Sequence, residues 1–165
     1  MNRELHAPYV PTPSETVRRM LSVAEVGSED VVYDLGCGDG RVLIMAVEEF
    51  GAKGAVGYEI SRQIYHLALS EVLRHGLGNK IKVINGDFFE ANLAEASVIT
   101  LYLNPSTNER LKPKLKREAR IGTRVISRNF AMIGWRTARK EYFDISTLYL
   151  YRIPEAFTGG RWENP

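Results

Sequence analysis

The sequence has only one cysteine and no long apolar segment, and these two features restrict the kind of protein that it can be. Cys37 is the single cysteine among 165 residues, so no internal disulfide forms, which favours a reducing, cytoplasmic location. No apolar run reaches the roughly 20 residues of a membrane helix. Residues 1–13 carry charges and prolines instead of the apolar core of a signal peptide. Metal-ligand spacing is also missing, so we expect no metal site.

The composition is that of an ordinary globular protein, with 44% hydrophobic and 25% charged residues. The length predicts a single domain, which we place at residues 1–153. Prolines 8, 11 and 13 predict an extended arm over residues 1–13, and the polar end of the chain predicts a flexible tail over residues 154–165. The net charge of +2 permits a nucleic-acid partner without arguing for one, and the oligomeric state stays open, a monomer included.

Short apolar runs alternate with amphipathic stretches along most of the chain. Strands are predicted at residues 31–33, 54–58, 81–84, 97–103 and 123–127, and a terminal hairpin at residues 141–145 and 148–153 with its turn at Ser146 and Thr147. This alternation predicts an α/β fold with a mostly parallel seven-stranded sheet, a C-terminal antiparallel hairpin and helices on both faces. Ligands of such sheets bind at the carboxyl ends of the strands.

Four helices are predicted between these strands. Ser14 caps the first, which places Val17, Met20, Leu21 and Ala24 on one face; the second spans residues 41–50 and ends at Gly51. Ser61 caps the third, with the apolar stripe Ile64, Leu67, Ala68 and Val72. The fourth spans residues 109–118, and we expect Pro113 to break or kink it.

A glycine-rich turn follows the first strand. Asp34 ends that strand, and Gly36, Cys37, Gly38 and Gly40 form the turn. Glycines let the backbone approach a ligand closely, and the turn presents the positive N-terminal end of the next helix. The simpler interpretation of a glycine-rich turn is that it is merely tight. Cys37 is most simply a small residue that fits it.

Two further strand ends carry acidic residues that make a nucleotide site more specific. Glu59 stands where a dinucleotide fold places an acid on the ribose hydroxyls, with Ile60 beside it. Asp87, between Gly86 and Phe88, is placed to accept from an adenine amino group, and Phe88 to lie against the adenine face. Three matched strand ends favour an adenosyl ligand over a tight turn alone.

The glycine spacing separates two kinds of adenosyl ligand. The dinucleotide fingerprint is G-x-G-x-x-G, whereas this chain has G-x-G-x-G. A carboxylate at Asp34 would repel a pyrophosphate and attract an ammonium. The run Asp-Leu-Gly-Cys-Gly-Asp-Gly-Arg over residues 34–41 resembles the first motif of class I methyltransferases, which implies S-adenosylmethionine as the cofactor and a Rossmann-like fold.

The resemblance extends to a narrower family. The chain is similar to small archaeal protein-lysine methyltransferases, related to the mitochondrial enzymes that act on ATP synthase subunit c and the adenine nucleotide translocase. The similarity is carried by residues 9–13, 34–41, 108–115 and 122–127 and by Phe130, Gly134 and Trp135. It implies that Tyr9 and Thr12 fold over the cofactor and that a lysine of a protein substrate enters near Tyr102 and Ser127. We take Tyr102, Asn104 and Ser127 as the candidate catalytic residues. The segments 104–106 and 128–129 depart from what that family leads us to expect.

The chain has no insertion long enough to form a lid over a small substrate. Independently of the resemblance, this favours a macromolecular acceptor, unless the arm itself closes the pocket. Methyl transfer needs a neutral amine, and its deprotonation at pH 7 costs about 4.6 kcal/mol. Desolvation and nearby positive charge offset that cost, and no histidine is well placed as a base. Tyr102 and Trp135 are candidates to hold the lysine, with plain core packing as the alternative.

Three other functions remain open. The basic run at residues 112–120, most simply a solvated helix face, is the only support for an RNA or DNA methyltransferase, and Asn104-Pro105 lacks the aromatic residue that such enzymes place next. A small-molecule methyltransferase would need a substrate-binding insertion. A non-catalytic nucleotide-binding module would bind the cofactor without turnover.

Overall fold

The computed structural model describes residues 6–158 of the chain. Residues 1–5 of the predicted arm and 159–165 of the predicted tail lie outside this range. Residues 6–13 form no helix or strand. Within residues 6–158, no helix is both long and apolar enough to cross a membrane.

Seven strands form a single sheet. In chain order they are β1 (Val31–Leu35), β2 (Gly54–Glu59), β3 (Ile81–Asn85), β4 (Val98–Leu101), β5 (Arg124–Arg128), β6 (Arg139–Phe143) and β7 (Ser146–Arg152). Their order across the sheet is β3-β2-β1-β4-β5-β7-β6. The first five strands are parallel, and β7 lies antiparallel between β5 and β6. The predicted fold class, a Rossmann-like sheet with a terminal antiparallel hairpin, is confirmed.

Helices cover both faces of this sheet. They are α1 (Ser14–Val23), α2 (Arg41–Glu48), α3 (Arg62–Arg74) and α4 (Pro105–Glu118). Val125 and Ile126 are neighbours on β5 and therefore point to opposite faces. Ile126 belongs to the core cluster that contains α1 and α2, and Val125 to the cluster that contains α4.

Several local predictions were wrong at helix ends. Ser14 is the first residue of α1 rather than its cap, because Pro13 holds the N-cap position. Ser61 does cap α3, but Leu67 on that helix is 46% exposed. The helix α4 begins at Pro105 and runs through Pro113 without a break. Asn104 caps it. Proline is tolerated at position 105, in the first turn, because the N–H that proline lacks would have no partner within the helix there.

The C-terminal region also differs from expectation. The hairpin turns at residues 144–145, where Asp144 adopts a positive φ of 53°, so Ser146 and Thr147 belong to β7. The predicted flexible tail is partly packed: residues Glu155–Phe157 form a short 3-10 helix, and the Phe157 ring lies 5.0 Å from that of Trp135. Apolar side chains at Ala156 and Phe157 explain this contact.

The topology places the site. The order of strands reverses between β1 and β4, and β2 lies on the other side of β1. Ligands of open α/β sheets bind outside the carboxyl ends of the strands at such a reversal. Asp34 and Glu59 lie at the ends of β1 and β2, and Tyr102 directly follows β4 at the same edge of the sheet.

Candidate functional site

A cavity lies at the carboxyl ends of β1, β2 and β4, under the N-terminal arm. Most of the predicted site residues line it: Tyr9, Thr12, Asp34, Gly36, Cys37, Gly38, Glu59, Ile60, Phe88 and Tyr102. Gly86, Asp87, Asn104 and Ser127 are outside its wall. The wall also includes His6, Asp39 and Arg41, which sequence reasoning did not assign to the site.

The glycine-rich turn has the backbone that its sequence predicts. Gly36, Gly38 and Gly40 all have positive φ, and Gly40 holds the N-cap position of α2. The amides of Gly36 and Cys37 both donate to the Tyr58 carbonyl, at 3.0 and 2.9 Å. A Cβ at Gly38 would lie 2.7 Å from the Tyr9 ring, so glycine is also needed for the arm to close on the turn.

Asp34 is a buried carboxyl group at the end of β1. It is 6% exposed, and its Oδ1 accepts a hydrogen bond of 2.7 Å from Thr100 on β4. Burial raises the pKa of Asp34 to about 7, the Thr100 hydrogen bond opposes this rise, and Glu59 and Asp39 add to it. Within residues 6–158, no cation pairs with Asp34. The group therefore suits a ligand ammonium, which would replace the missing counter-charge.

Glu59 is held in place by backbone amides. Its Oε1 accepts from Ser61 at 2.8 Å, and its Oε2 accepts from Gly38 at 3.1 Å. Burial raises its pKa, while these amides oppose the rise. Each carboxylate oxygen has a second lone pair, so Glu59 can still accept from two hydroxyl groups.

Asp87 already has partners in the structure. Its Oδ1 accepts from the Phe89 amide at 2.9 Å and contacts Nε2 of His6 at 3.0 Å. The His6 ring packs on Phe88 and Phe89, with centroid distances of 5.2 and 4.9 Å. The carbonyl of His6 accepts from Asn104 and Thr107. The sequence offered no signal for these contacts, because His6 is 81 residues away from Asp87.

Two arginines hold the arm at Thr12. Arg41 donates 2.9 Å to the Thr12 carbonyl and also pairs with Asp39 at 2.6 Å. Arg128 donates 3.2 Å to the Thr12 hydroxyl. Asp39, the partner of Arg41, also interacts with the Tyr9 side chain. The motif of residues 34–41 contains Asp39 and Arg41, but its pattern did not indicate that they anchor the arm.

Tyr102 lies beside the end of β5 and lines the cavity. The guanidinium of Arg128 is 4.2 Å from the centroid of its ring, and the Phe130 ring is nearly parallel to it, at 6.4 Å. Trp135, the other aromatic candidate, is 9% exposed and packs edge-on against Tyr151 and Phe157. The core-packing interpretation therefore accounts for Trp135, and Tyr102 remains in the cavity wall.

Asn104 and Ser127 were predicted as catalytic, and the structure gives both of them structural contacts. The Asn104 side chain caps α4 through the Thr107 amide at 2.9 Å and donates 2.6 Å to the His6 carbonyl. Ser127 donates 2.6 Å to the Phe130 carbonyl, which also accepts from Asn108. In residues 6–158, Oδ1 of Asn108 is the only buried side-chain oxygen or nitrogen atom without a partner.

Comparison with known proteins identifies the family. The model of the ANTKMT methyltransferase domain matches residues 34–139. A protein-lysine N-methyltransferase of Saccharolobus islandicus is 45% identical over 91% of this chain and 96% of its own. A mouse adenine nucleotide translocase lysine N-methyltransferase is 30% identical over 79% of this chain, which spans 56% of that protein.

A solved structure agrees on the fold and bears a different substrate in its name. It is an RNA methyltransferase of Salinibacter ruber in complex with S-adenosyl-L-homocysteine, 42% identical, with a TM-score of 0.86 over 88% of this chain and 95% of that one. The family model covers more than half of this chain, and the archaeal relative aligns with nearly all of it. This protein therefore belongs to the ANTKMT methyltransferase-domain family.

Proposed function

We propose that this methyltransferase takes its methyl group from S-adenosylmethionine and transfers it to the side-chain amine of lysine residues in proteins. The observation that carries the proposal is the 45% identity, over almost the full length of both chains, with an archaeal protein-lysine N-methyltransferase. The cavity supports the choice of cofactor, because its buried carboxyl groups match the positive and hydroxyl groups of an adenosyl amino acid.

The chain's own residues divide the binding of the cofactor among them. Asp34 pairs with the methionine ammonium, and Glu59 accepts from the ribose hydroxyls. Ile60 and Phe88 line the part of the cavity that suits the adenine ring. Gly86 and Asp87 stay predicted contacts of the adenine ring. Asp87 can accept from adenine only if the His6 ring shares the Asp87 carboxylate or moves away from it. Tyr9 and Thr12 close the cavity from the arm.

The acceptor amine enters beside Tyr102. The bound cofactor supplies an electrophilic methyl group on a sulfonium. The lone pair of the lysine nitrogen forms the new N–C bond as the S–C bond breaks, sulfur keeps the electron pair, and the amine proton goes to water. The positive charge of the bound sulfonium disfavours a second positive charge beside it, which helps the lysine to enter as the neutral amine.

A labelling experiment tests the acceptor. The protein is incubated with methyl-labelled S-adenosylmethionine and one of three acceptors: a mixed protein extract, the same extract with its lysines acetylated, or total RNA. We expect label in the first extract only, recovered as methyllysine after acid hydrolysis. The variant Asp34→Ala serves as the inactive control. Equal labelling of the acetylated extract would overturn the lysine assignment.

RNA is the second candidate acceptor, because the Salinibacter ruber relative is described as an RNA methyltransferase. The basic run offers it little support in this structure. Lys114 is buried and pairs with Glu118 at 2.9 Å, and Lys112 pairs with Glu109 and donates to the Ile133 carbonyl. Label that appears in RNA and not in protein would make RNA the acceptor.

We also propose that the protein works in the cytoplasm. The support is chemical: Cys37 is a free, buried thiol, and a single cysteine forms no internal disulfide. Cell fractionation with an antibody to the protein tests this location, and enrichment in an oxidising compartment would contradict it.

A further inference from the structure

Arg128 is a buried cation without an acidic partner. It is 5% exposed, its Nε donates 2.9 Å to Ser146, and its guanidinium lies over the Tyr102 ring. No carboxylate of residues 6–158 pairs with it, whereas Arg124 on the same strand pairs with Asp30. Burying an unpaired charge is costly, so a partner that is not part of the chain would account for it.

Thr12 connects this charge to the cavity. Arg128 donates to the Thr12 hydroxyl at 3.2 Å, and Arg41 fixes the Thr12 carbonyl at 2.9 Å. Because the hydroxyl oxygen accepts from Arg128, its hydrogen is directed elsewhere. Among residues 6–158 that hydrogen has no acceptor. Thr12 is 8% exposed and lines the cavity, so its hydroxyl is a polarised donor available to a ligand.

We propose that Arg128, acting through the Thr12 hydroxyl, recognises the carboxylate of the methionine part of the cofactor. An α-amino acid carries an ammonium and a carboxylate on the same carbon, so its binding site needs one acidic and one basic side chain that act on the same cavity. Asp34 is the acid. Arg41, the other arginine at the arm, is already neutralised by Asp39. Arg128 is therefore the arginine that remains to balance the charge of the carboxylate. It acts through Thr12, whose hydroxyl it positions.

The consequence is selectivity among adenosyl thioethers. S-Adenosylhomocysteine has the carboxylate and the ammonium, its decarboxylated analogue has only the ammonium, and 5′-methylthioadenosine has neither. The inference rests on the methyltransferase cofactor and not on the acceptor. Binding measurements without any acceptor therefore test it even if the proposed lysine substrate is wrong.

Calorimetric titration of the three ligands into the wild type and Arg128→Gln provides the test. We expect Arg128→Gln to weaken the binding of S-adenosylhomocysteine at least tenfold. The affinity for the two ligands without a carboxylate should change by less than twofold. Arg128→Lys keeps a charge and a donor and should retain part of the difference. Arg110→Gln is the matched control, because Arg110 also lies over an aromatic ring, Phe89, but outside the cavity wall.

Thr12→Val provides an independent arm of the test, because it removes the hydroxyl at nearly constant volume and leaves Arg128 in place. It should show the same selective loss, and it decides the question if Arg128→Gln does not fold. An equal loss of all three ligands would mean that the contact only supports the fold. Unchanged binding of S-adenosylhomocysteine in both variants would place Arg128 on the acceptor side instead. Either result overturns the proposal.

Discussion

Thr100 on β4 donates a hydrogen bond of 2.7 Å to Asp34 on the adjacent strand β1, inside the core at the edge of the cavity. It is the only hydrogen bond to the Asp34 carboxyl within residues 6–158. One neutral donor does not offset the burial, which raises the pKa of Asp34 to about 7. The cavity thus has a carboxyl group that a ligand ammonium would convert fully to the charged form.

Cofactor binding should depend on pH through Asp34. Below pH 7 the carboxyl is increasingly protonated and loses its attraction for an ammonium, so S-adenosylhomocysteine should bind up to about tenfold more weakly per pH unit. Above pH 7 its affinity should level off. Calorimetry from pH 5.5 to 8.5 measures this slope. 5′-Methylthioadenosine, which has no ammonium, is the control, and the same slope for both ligands would contradict the assignment.

Asp34 should also lower the stability of the ligand-free protein. Its folded-state pKa of about 7 is above the usual aspartate pKa of 3.8, so the folded state binds more protons than the unfolded state between those values. The free energy of unfolding therefore falls as pH rises from about 4 to about 7. Asp34→Asn should stabilise the ligand-free protein at pH 8 by about 1–3 kcal/mol while it abolishes tight cofactor binding. Urea denaturation at pH 8 checks this, and a large destabilisation would contradict it.

Gly57 on β2 leaves room for the turn and for α2. A Cβ there would lie 2.6 Å from Sγ of Cys37 and 2.5 Å from a methyl group of Leu43. Gly57→Ala should therefore lower the free energy of unfolding by about 1–3 kcal/mol through overpacking. Gly27→Ala is the matched control, because a Cβ at Gly27 meets no atom within 4 Å. Equal stability of the two variants in urea denaturation would argue against this packing.

Cys37 should be inert in the folded protein. Its side chain is buried, 4% of the residue being exposed, and burial together with Asp34 and Glu59 raises the thiol pKa well above its usual value. A thiol-reactive dye should therefore label the native protein at least tenfold more slowly than the protein in 6 M guanidinium. Fast labelling under native conditions would indicate a reactive thiol.

Ser127 is expected to position the acceptor side rather than to take part in bond making. Its hydroxyl holds the Phe130 carbonyl at 2.6 Å, next to the ring that lies parallel to Tyr102. Ser127→Ala should cost about 1–2 kcal/mol of stability and raise KM for the acceptor while leaving S-adenosylhomocysteine binding unchanged. The exposed Ser106→Ala is the control. A collapse of kcat at normal KM and normal stability would restore the predicted catalytic role.

The sequence by itself determined the fold class and several of the residues that line the cavity. Asp34, the glycines and Glu59 lie at strand ends that a local pattern identifies, and parallel strands bring such ends together. Each strand and the turn that follows it are close together along the chain, so a local sequence pattern can identify these residues.

Only the tertiary structure decided how the arm closes the cavity. His6 meets Asp87, and Thr12 meets Arg128 across 116 residues, through contacts that no periodicity encodes. The same holds for the contacts of Asn104 with the first turn of α4 and of Ser127 with the Phe130 carbonyl, which no local pattern indicated. A side chain's type is local information, but its partner depends on which distant segments the core brings into contact.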